Sequence, residues 1–235
     1  MKLALTSNLP SAGNDHLFAW MRTVVARPRI AWIPPYTDPD RARFTQAQAR
    51  FASHGFDTVE YCDIDEQINR VQLSQLAEYD VIYLSGGDPV RFRHNLLRAG
   101  LADRLRECLT AGRLIVGASG GSMQLTQNVS LFRLVNATID EVLADHAEYA
   151  AMGLVPYEIL PHVDRWEPPF LEQVRRYSER VEHDIIGLAD GSAMLHTSQR
   201  DYQCIGQVQR FRKGVVSTIG AKGDNIDKVL SMLNP

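Results

Sequence analysis

The stretch "RLIVGASGGSMQL", Arg113–Leu125, decides how the rest of the chain is read. Leu114–Ala118 is a short, nearly unbroken apolar run, the mark of a strand covered on both faces in a parallel sheet. It stops at a serine fenced by glycines, and the helix-like "GSMQLTQ" follows. Gly117-Ala118-Ser119-Gly120-Gly121 fits G-x-S-x-G in the strand–turn–helix setting that pattern requires. A tight, strained turn needs neighbours without side chains. It would lift the Ser119 hydroxyl above the carboxyl edge of the sheet, where reactive groups collect. The Gly120 N–H, at a helix N-terminus, would face the same point and stabilise an oxyanion. The plain alternative is a glycine-rich turn with a solvated N-cap serine. A phosphate-cradling loop fits poorly, because no Lys-Ser/Thr follows and G-x-G-x-x-G is absent.

Outward from this point the chain alternates short apolar runs with longer amphipathic ones. Strands are expected at Leu3–Thr6, Arg29–Ile33, Thr58–Tyr61, Val81–Leu84 and Leu114–Ala118. Helices are expected at Arg41–Ser53, Ile64–Leu76, Val90–Arg98 and Leu101–Ala111. This spacing predicts βαβ units: an α/β fold with a mainly parallel sheet and helices on both faces. After Ser130 the pattern becomes mixed. "EPPFLEQVRRYSERVEHD" reads as a helix, and "IIGLADGSAMLHT" as two strands joined by a hairpin turn at Asp190-Gly191. Shorter strands follow, antiparallel ones being expected toward the C-terminus, and Asn225–Leu233 reads as a closing helix. No linker, repeat or low-complexity tract divides the chain, so 1–235 reads as a single domain.

Composition narrows the classes. A formal net charge of -3 gives no reason to expect nucleic acid or an anionic membrane surface as partner. No apolar run approaches the roughly 18 residues of a membrane span, and "MKLALTSNLP" lacks the apolar core of a signal peptide. Cys62, Cys108 and Cys204 are far apart and form no CxxC or Cys/His pattern. They read as buried thiols in a reducing cytoplasm, with no metal and no cofactor. A homodimer is compatible with this composition.

A serine nucleophile needs a base. His16, His54, His94 and His183 lie in polar or helical surroundings, and His146 in the acidic "DEVLADHAEY". His162, in "EILPHVDRW", directly follows a strand and a proline, as a base on a sheet-edge loop would; His196, ending "SAMLHT", is the runner-up. A second glycine turn, Gly86-Gly87 in "YDVIYLSGGDPVRF", ends another central strand and offers further N–H donors. It reads equally well as an ordinary turn with Asp88 as N-cap and Pro89 at N1.

Four stretches in order, "LSGGDPVRF", "VGASGGSMQL", "LPHVDRW" and "IGLADGSAML", resemble the peptidase E family of aspartyl-dipeptidase-like serine peptidases. The resemblance implies the flavodoxin-like sheet of class I glutamine amidotransferases. It implies Ser119 as nucleophile, His162 as general base, and oxyanion donors from Gly86, Gly87 and Gly120. It also implies Asp190, standing where the family carries its acid, as the residue that orients the imidazole. Read from the residues alone, Asp190 is equally a turn residue, and Glu158 and Asp164 are rivals near His162. Three departures stand out: Ser-Gly-Gly-Ser at the nucleophile turn, Gly-Gly-Asp at the oxyanion turn, and no Gly-Glu-Thr-Arg segment after the histidine. Arg165, Arg175 and Arg176 are the cations available to bind substrate, and none is placed by such a segment. The expectation is therefore a serine peptidase of the dipeptidase or aminopeptidase type, acting on short peptides without strict selectivity for N-terminal aspartate. Two alternatives stay open. One is an esterase of the α/β-hydrolase type using Ser119, Asp190 and His196; the other is an inactive binding module of the same fold.

Overall fold

The structure, a computed structural model, describes residues 1–8, 15–198 and 201–220; the expected closing helix Asn225–Leu233 lies outside them. The first half is β1 (Lys2–Thr6), α1 (His16–Val24), β2 (Arg29–Ile33), α2 (Ala42–Ala52), β3 (Thr58–Tyr61), α3 (Arg70–Ser74), β4 (Val81–Leu84), α4 (Pro89–Arg98), α5 (Leu101–Thr110) and β5 (Leu114–Ala118). The second half continues with α6 (Gly120–Met123), α7 (Ile139–Ala144), β6 (Tyr157–Pro161), α8 (Pro168–Arg180), β7 (Asp184–Leu188), β8 (Ala193–His196), β9 (Tyr202–Ile205), β10 (Val208–Arg212) and β11 (Val215–Gly220).

Seven strands form the main sheet in the order β3-β2-β4-β5-β1-β8-β9. The five strands from β3 to β1 are mutually parallel, and β8 and β9 add antiparallel at one edge. Every residue of β4 and β5 is buried, as their unbroken apolar sequence requires when helices cover both faces. Because β4, β5 and β1 run parallel, their carboxyl ends, at Ser85, Ser119 and Ser7, share one edge.

Four further strands form a second sheet, β11-β10-β7-β6, in which β6 and β7 are parallel and α8 is the crossover between them. The largest buried cluster draws Leu3, Leu5 and Leu84 from the main sheet and Ile159, Ile186 and Val208 from the second, so the two share apolar core. No helix among the described residues is long and apolar enough to cross a membrane.

Two local expectations need correction. The Asp190-Gly191 turn forms, with Gly191 at φ 79 and the Ser192 N–H on the Ala189 carbonyl at 3.0 Å. It does not close a hairpin, however. β7 pairs with β6 and β10, whereas β8 pairs with β1 and β9, so the turn passes the chain from one sheet to the other. Its sequence fixes the reversal, but the partners are chosen by distant strands. The helix expected over Ile64–Leu76 starts late, at Arg70. The Asp63 carboxylate takes the N–H groups of Asp65 and Gln67 and holds a turn there. The Asn69 side chain then caps Val71 and Gln72 and opens α3. The sequence reading also passed over α1.

Candidate active site

Ser119 sits between β5 and α6 with φ 50 and ψ -118, a backbone conformation that is strained for any residue bearing a side chain. Close approach on both sides explains the glycine fence. A methyl group on Gly117 would lie 2.6 Å from the Ser122 Cα, one on Gly120 would lie 2.1 Å from the Gly87 carbonyl oxygen, and one on Gly121 would lie 2.2 Å from that of Leu84. The elbow is also pinned from beneath. The fully buried Ser122 hydroxyl accepts the Thr6 N–H at 3.0 Å and reaches the Thr6 and Gly117 carbonyls at 2.8 and 2.7 Å. The Gln124 amide donates to the carbonyls of Pro89 and Gly120 at 2.9 and 3.0 Å, tying the elbow to the start of α4.

His162 reaches this point from the second sheet. It follows β6 with φ 58 and ψ 37, a left-handed conformation that turns its ring toward Ser119. Its Nε2 lies 3.0 Å from the Ser119 Oγ, and its Nδ1 lies 2.6 Å from the Asp190 Oδ1. A carboxylate only accepts, so Nδ1 carries the proton and Nε2 is left to accept from the serine. Asp190 is held in turn. Arg165 grips its second oxygen, and Asp164 accepts its backbone N–H at 2.8 Å. Burial and the Arg165 guanidinium hold the imidazole below its ordinary pKa. The Asp164 carboxylate opposes this and does not outweigh it.

Ser7, at the carboxyl end of β1, was not singled out by the sequence reading. Its buried hydroxyl accepts the His162 backbone N–H at 2.9 Å and donates to the Asp190 Oδ1 at 3.3 Å. The signal was available only once β1 was known to lie beside β5, since a serine after an N-terminal strand is otherwise unremarked.

Gly87 and Gly120 border one depression beside Ser119, and Gly86 borders another. Arg176 is elsewhere: it pairs with Glu172 at 2.9 Å and lines a separate cavity with Thr138, Asp140 and Arg180. Arg175 is bound to Glu172 and Glu179. His196 is buried; its Nδ1 faces the Ser198 carbonyl at 3.2 Å, and its Nε2 takes the Tyr157 hydroxyl at 2.6 Å. Its lone pair is thus occupied away from Ser119, which removes the geometry an esterase triad through His196 would need. Glu158 is also committed elsewhere. Its Oε1 accepts from Tyr177 at 3.0 Å and lies 2.7 Å from the His183 Nε2 and 3.3 Å from the His146 Nε2.

The sequence shows no metal-ligand spacing, yet the fold does gather His146, Glu158 and His183, their ligand atoms within 4.8 Å of one another. A hydrogen-bond network explains the group as it stands. Asn128 is oriented by the Ser130 N–H on its Oδ1 at 2.7 Å, which sets its amide nitrogen 3.3 Å from the His146 Nδ1. The imidazole proton is then on Nε2, facing Glu158, where a metal would need a lone pair. Burial alone would raise the Glu158 pKa; hydrogen bonds from His146 and His183 outweigh it and hold the carboxyl below its usual range.

A model of peptidase family S51 matches residues 3–203. The chain belongs to this family. Family S51 comprises serine peptidases, so the chain is a serine-type hydrolase whose substrates are peptides. A peptidase E from Streptomyces coelicolor is 25% identical over 247 aligned residues, which span 99% of this chain and 96% of the relative. A peptidase E from Shewanella amazonensis is 26% identical over 63% of this chain and 65% of its own. The crystal structure of a peptidase from an acI-B1 Actinobacterium superposes with a TM-score of 0.71, covering 95% of each chain at 18% identity. At that identity the likeness speaks for the fold.

Proposed function

We propose that this S51 peptidase hydrolyses short peptides through a Ser119–His162–Asp190 triad and an acyl-enzyme. One observation carries the reading: the hydroxyl of a residue held at φ 50 lies 3.0 Å from an imidazole nitrogen left free to accept. His162 takes the Ser119 proton at Nε2 while Oγ bonds to the scissile carbonyl carbon. The N–H groups of Gly120 and of the Gly86-Gly87 turn hold the oxyanion. As the C–N bond breaks, Nε2 returns the proton to the leaving amine; water then hydrolyses the ester by the same route. Asp190 fixes the tautomer and steadies the imidazolium, and Ser7, Arg165 and Asp164 position Asp190. No step calls for a metal. Arg165 and Arg176 are both engaged with carboxylates of the chain itself, which speaks against strict selectivity for N-terminal aspartate. The apolar cluster common to both sheets favours reading 1–235 as one domain, and the buried thiols Cys62 and Cys108 suit a reducing cytoplasm.

The test is labelling by a fluorophosphonate alongside hydrolysis of a dipeptide and aminoacyl-ester library. Wild type should be labelled and active; Ser119→Ala should lose both while keeping its thermal transition. Substantial turnover by Ser119→Ala would exclude Ser119 as the nucleophile. A folded wild type that neither labels nor turns over any substrate would favour an inactive binding module.

A further inference from the structure

Ser119 opens on two depressions. One is a broad cleft of mixed lining, with Asn8, Arg43, Gln46 and Arg50 beside Trp32 and Tyr83. The other is a smaller, partly open depression of about 60 Å³ whose walls are Met123, Leu131, Phe132, Leu160, Trp166 and Phe170. Apart from His162, no ionisable side chain lines it. We infer that this second depression is a specificity pocket for an uncharged, apolar side chain on the residue whose carbonyl Ser119 attacks. The inference rests on the nucleophile reading above and narrows its substrate class.

The placement follows from the oxyanion donors. Gly87 and Gly120 both border the pocket, so a carbonyl oxygen held by their N–H groups brings its own Cα over the opening. The walls are firm: Leu131, Met123 and Leu160 are almost wholly buried. Trp166 stacks on Phe170 with ring centroids 4.2 Å apart. The only indole donor is already spent on the Pro161 carbonyl at 3.0 Å, so Trp166 presents an apolar surface alone. Phe132, at 38% exposure, stands at the mouth as a large apolar side chain in water, and an apolar occupant would cover it. The Met123 thioether lets the floor adapt to Leu, Met or Phe. A carboxylate or ammonium entering here would lose its hydration and meet no counter-charge, because Arg165 lies on Asp190. The cations bordering the other cleft are engaged as well: Arg43 bonds the Tyr36 hydroxyl at 2.8 Å, and Arg50 pairs with Asp15 at 2.8 Å.

Binding and turnover separate the pocket from the nucleophile. Leu-Gly, Phe-Gly, Asp-Gly and Lys-Gly are titrated calorimetrically into Ser119→Ala, and kcat/KM is measured for the same four on wild type, with Gly-Leu as the reversed control. Leu-Gly and Phe-Gly should exceed Asp-Gly and Lys-Gly by about tenfold or more in both measurements, the low end of what burying one apolar side chain supplies. Phe132→Arg, which puts a cation at an exposed mouth position, should raise the Asp-Gly to Leu-Gly ratio at least about tenfold over wild type. An active wild type that takes Asp-Gly or Lys-Gly as well as Leu-Gly overturns the pocket assignment and leaves the nucleophile standing. So does a folded Phe132→Arg whose ratio stays within twofold of wild type, or an apolar preference read only in Gly-Leu. Apolar-selective binding to Ser119→Ala, with a wild type that neither labels nor hydrolyses, sustains the pocket and defeats the nucleophile. If none of the four peptides binds or is hydrolysed, the pocket assignment falls.

Discussion

Gly120→Ala gives the sharpest test of the elbow. Gly120 opens α6 with an ordinary helical backbone, so alanine brings no conformational strain and is favoured in helices by about 1 kcal/mol. The obstacle is steric. The new methyl would lie 2.1 Å from the Gly87 carbonyl oxygen, about 0.9 Å inside the 3.0 Å that such atoms keep. Both sides of that contact are backbone, so the Gly86-Gly87 turn and the elbow must separate by most of an ångström. Their N–H groups are the proposed oxyanion donors. A misplacement near 1 Å costs about 100-fold, and complete loss of one donor about 100- to 1,000-fold, or roughly 3–4 kcal/mol of transition-state stabilisation. The expected result is a fall in kcat of about 100-fold with KM little changed and fluorophosphonate labelling slowed in proportion. Gly86→Ala is the graded comparison. Its methyl would meet the Ser119 Cβ at 3.3 Å, a crowding of a few tenths, and should cost at most about tenfold. Thermal melting of both variants guards against a trivial loss of fold. If Gly120→Ala kept more than about a third of wild-type kcat/KM with an unchanged melt, the turn would not be an oxyanion hole and the close-approach argument would fail.

Other expectations follow from the same geometry. His162→Ala should lose nearly all turnover while His196→Ala keeps most of it, as dipeptide hydrolysis will show; the reverse ranking would reinstate His196 as the base. The base must be neutral to act, and burial holds the His162 pKa below the ordinary value near 6.5. Activity should therefore persist to somewhat below that pH and fall only as acidification protonates the ring, which a pH profile of kcat/KM will show. Arg165→Met removes the nearby positive charge, so the acid limb should move to higher pH; an unmoved limb would mean that Arg165 does not act on His162. Glu158→Leu strands the His146, His183 and Tyr177 donors in a buried site. It should lower stability in urea unfolding by about 3–5 kcal/mol. A chelator should leave turnover and melting unchanged, and loss of either would reopen His146–Glu158–His183 as a metal site.

What the sequence revealed was whatever local chemistry decides. β4 and β5 are legible because burial on both faces leaves an unbroken apolar run, and the elbow is legible because backbone contact excludes Cβ atoms at Gly117, Gly120 and Gly121. The placing of His162 after a strand and a proline drew attention for the same kind of reason. α1 was missed although, at nine residues, it is nearly as long as α4 and α5. Non-local choices were out of reach. Asp190-Gly191 reads the same whether the strands it joins pair with each other or with β6 and β1. Ser7 gains its role only from the neighbouring β5. The apolar pocket is assembled from α6, the helical turn Ser130–Val135, the end of β6 and the start of α8, so no one segment carries its signature. Arg165 reads as a substrate cation until its guanidinium is seen on Asp190.

The two sheets contribute unequally along the chain, and this gives synthesis a direction. Ser119 belongs to the main sheet, but the imidazole and the carboxylate that would arm it hang from β6 and β7, and β1 gains its second partner only when β8 arrives. At roughly 5–20 residues per second, a translating ribosome needs roughly 4–14 s to pass from Ser119 to Asp190. Throughout that interval the nascent chain holds a serine with no completed base beside it. On the proposed triad, a chain so ordered would be inert as it emerges, and its hydrolytic competence would coincide with the pairing of β8 on β1 rather than precede it.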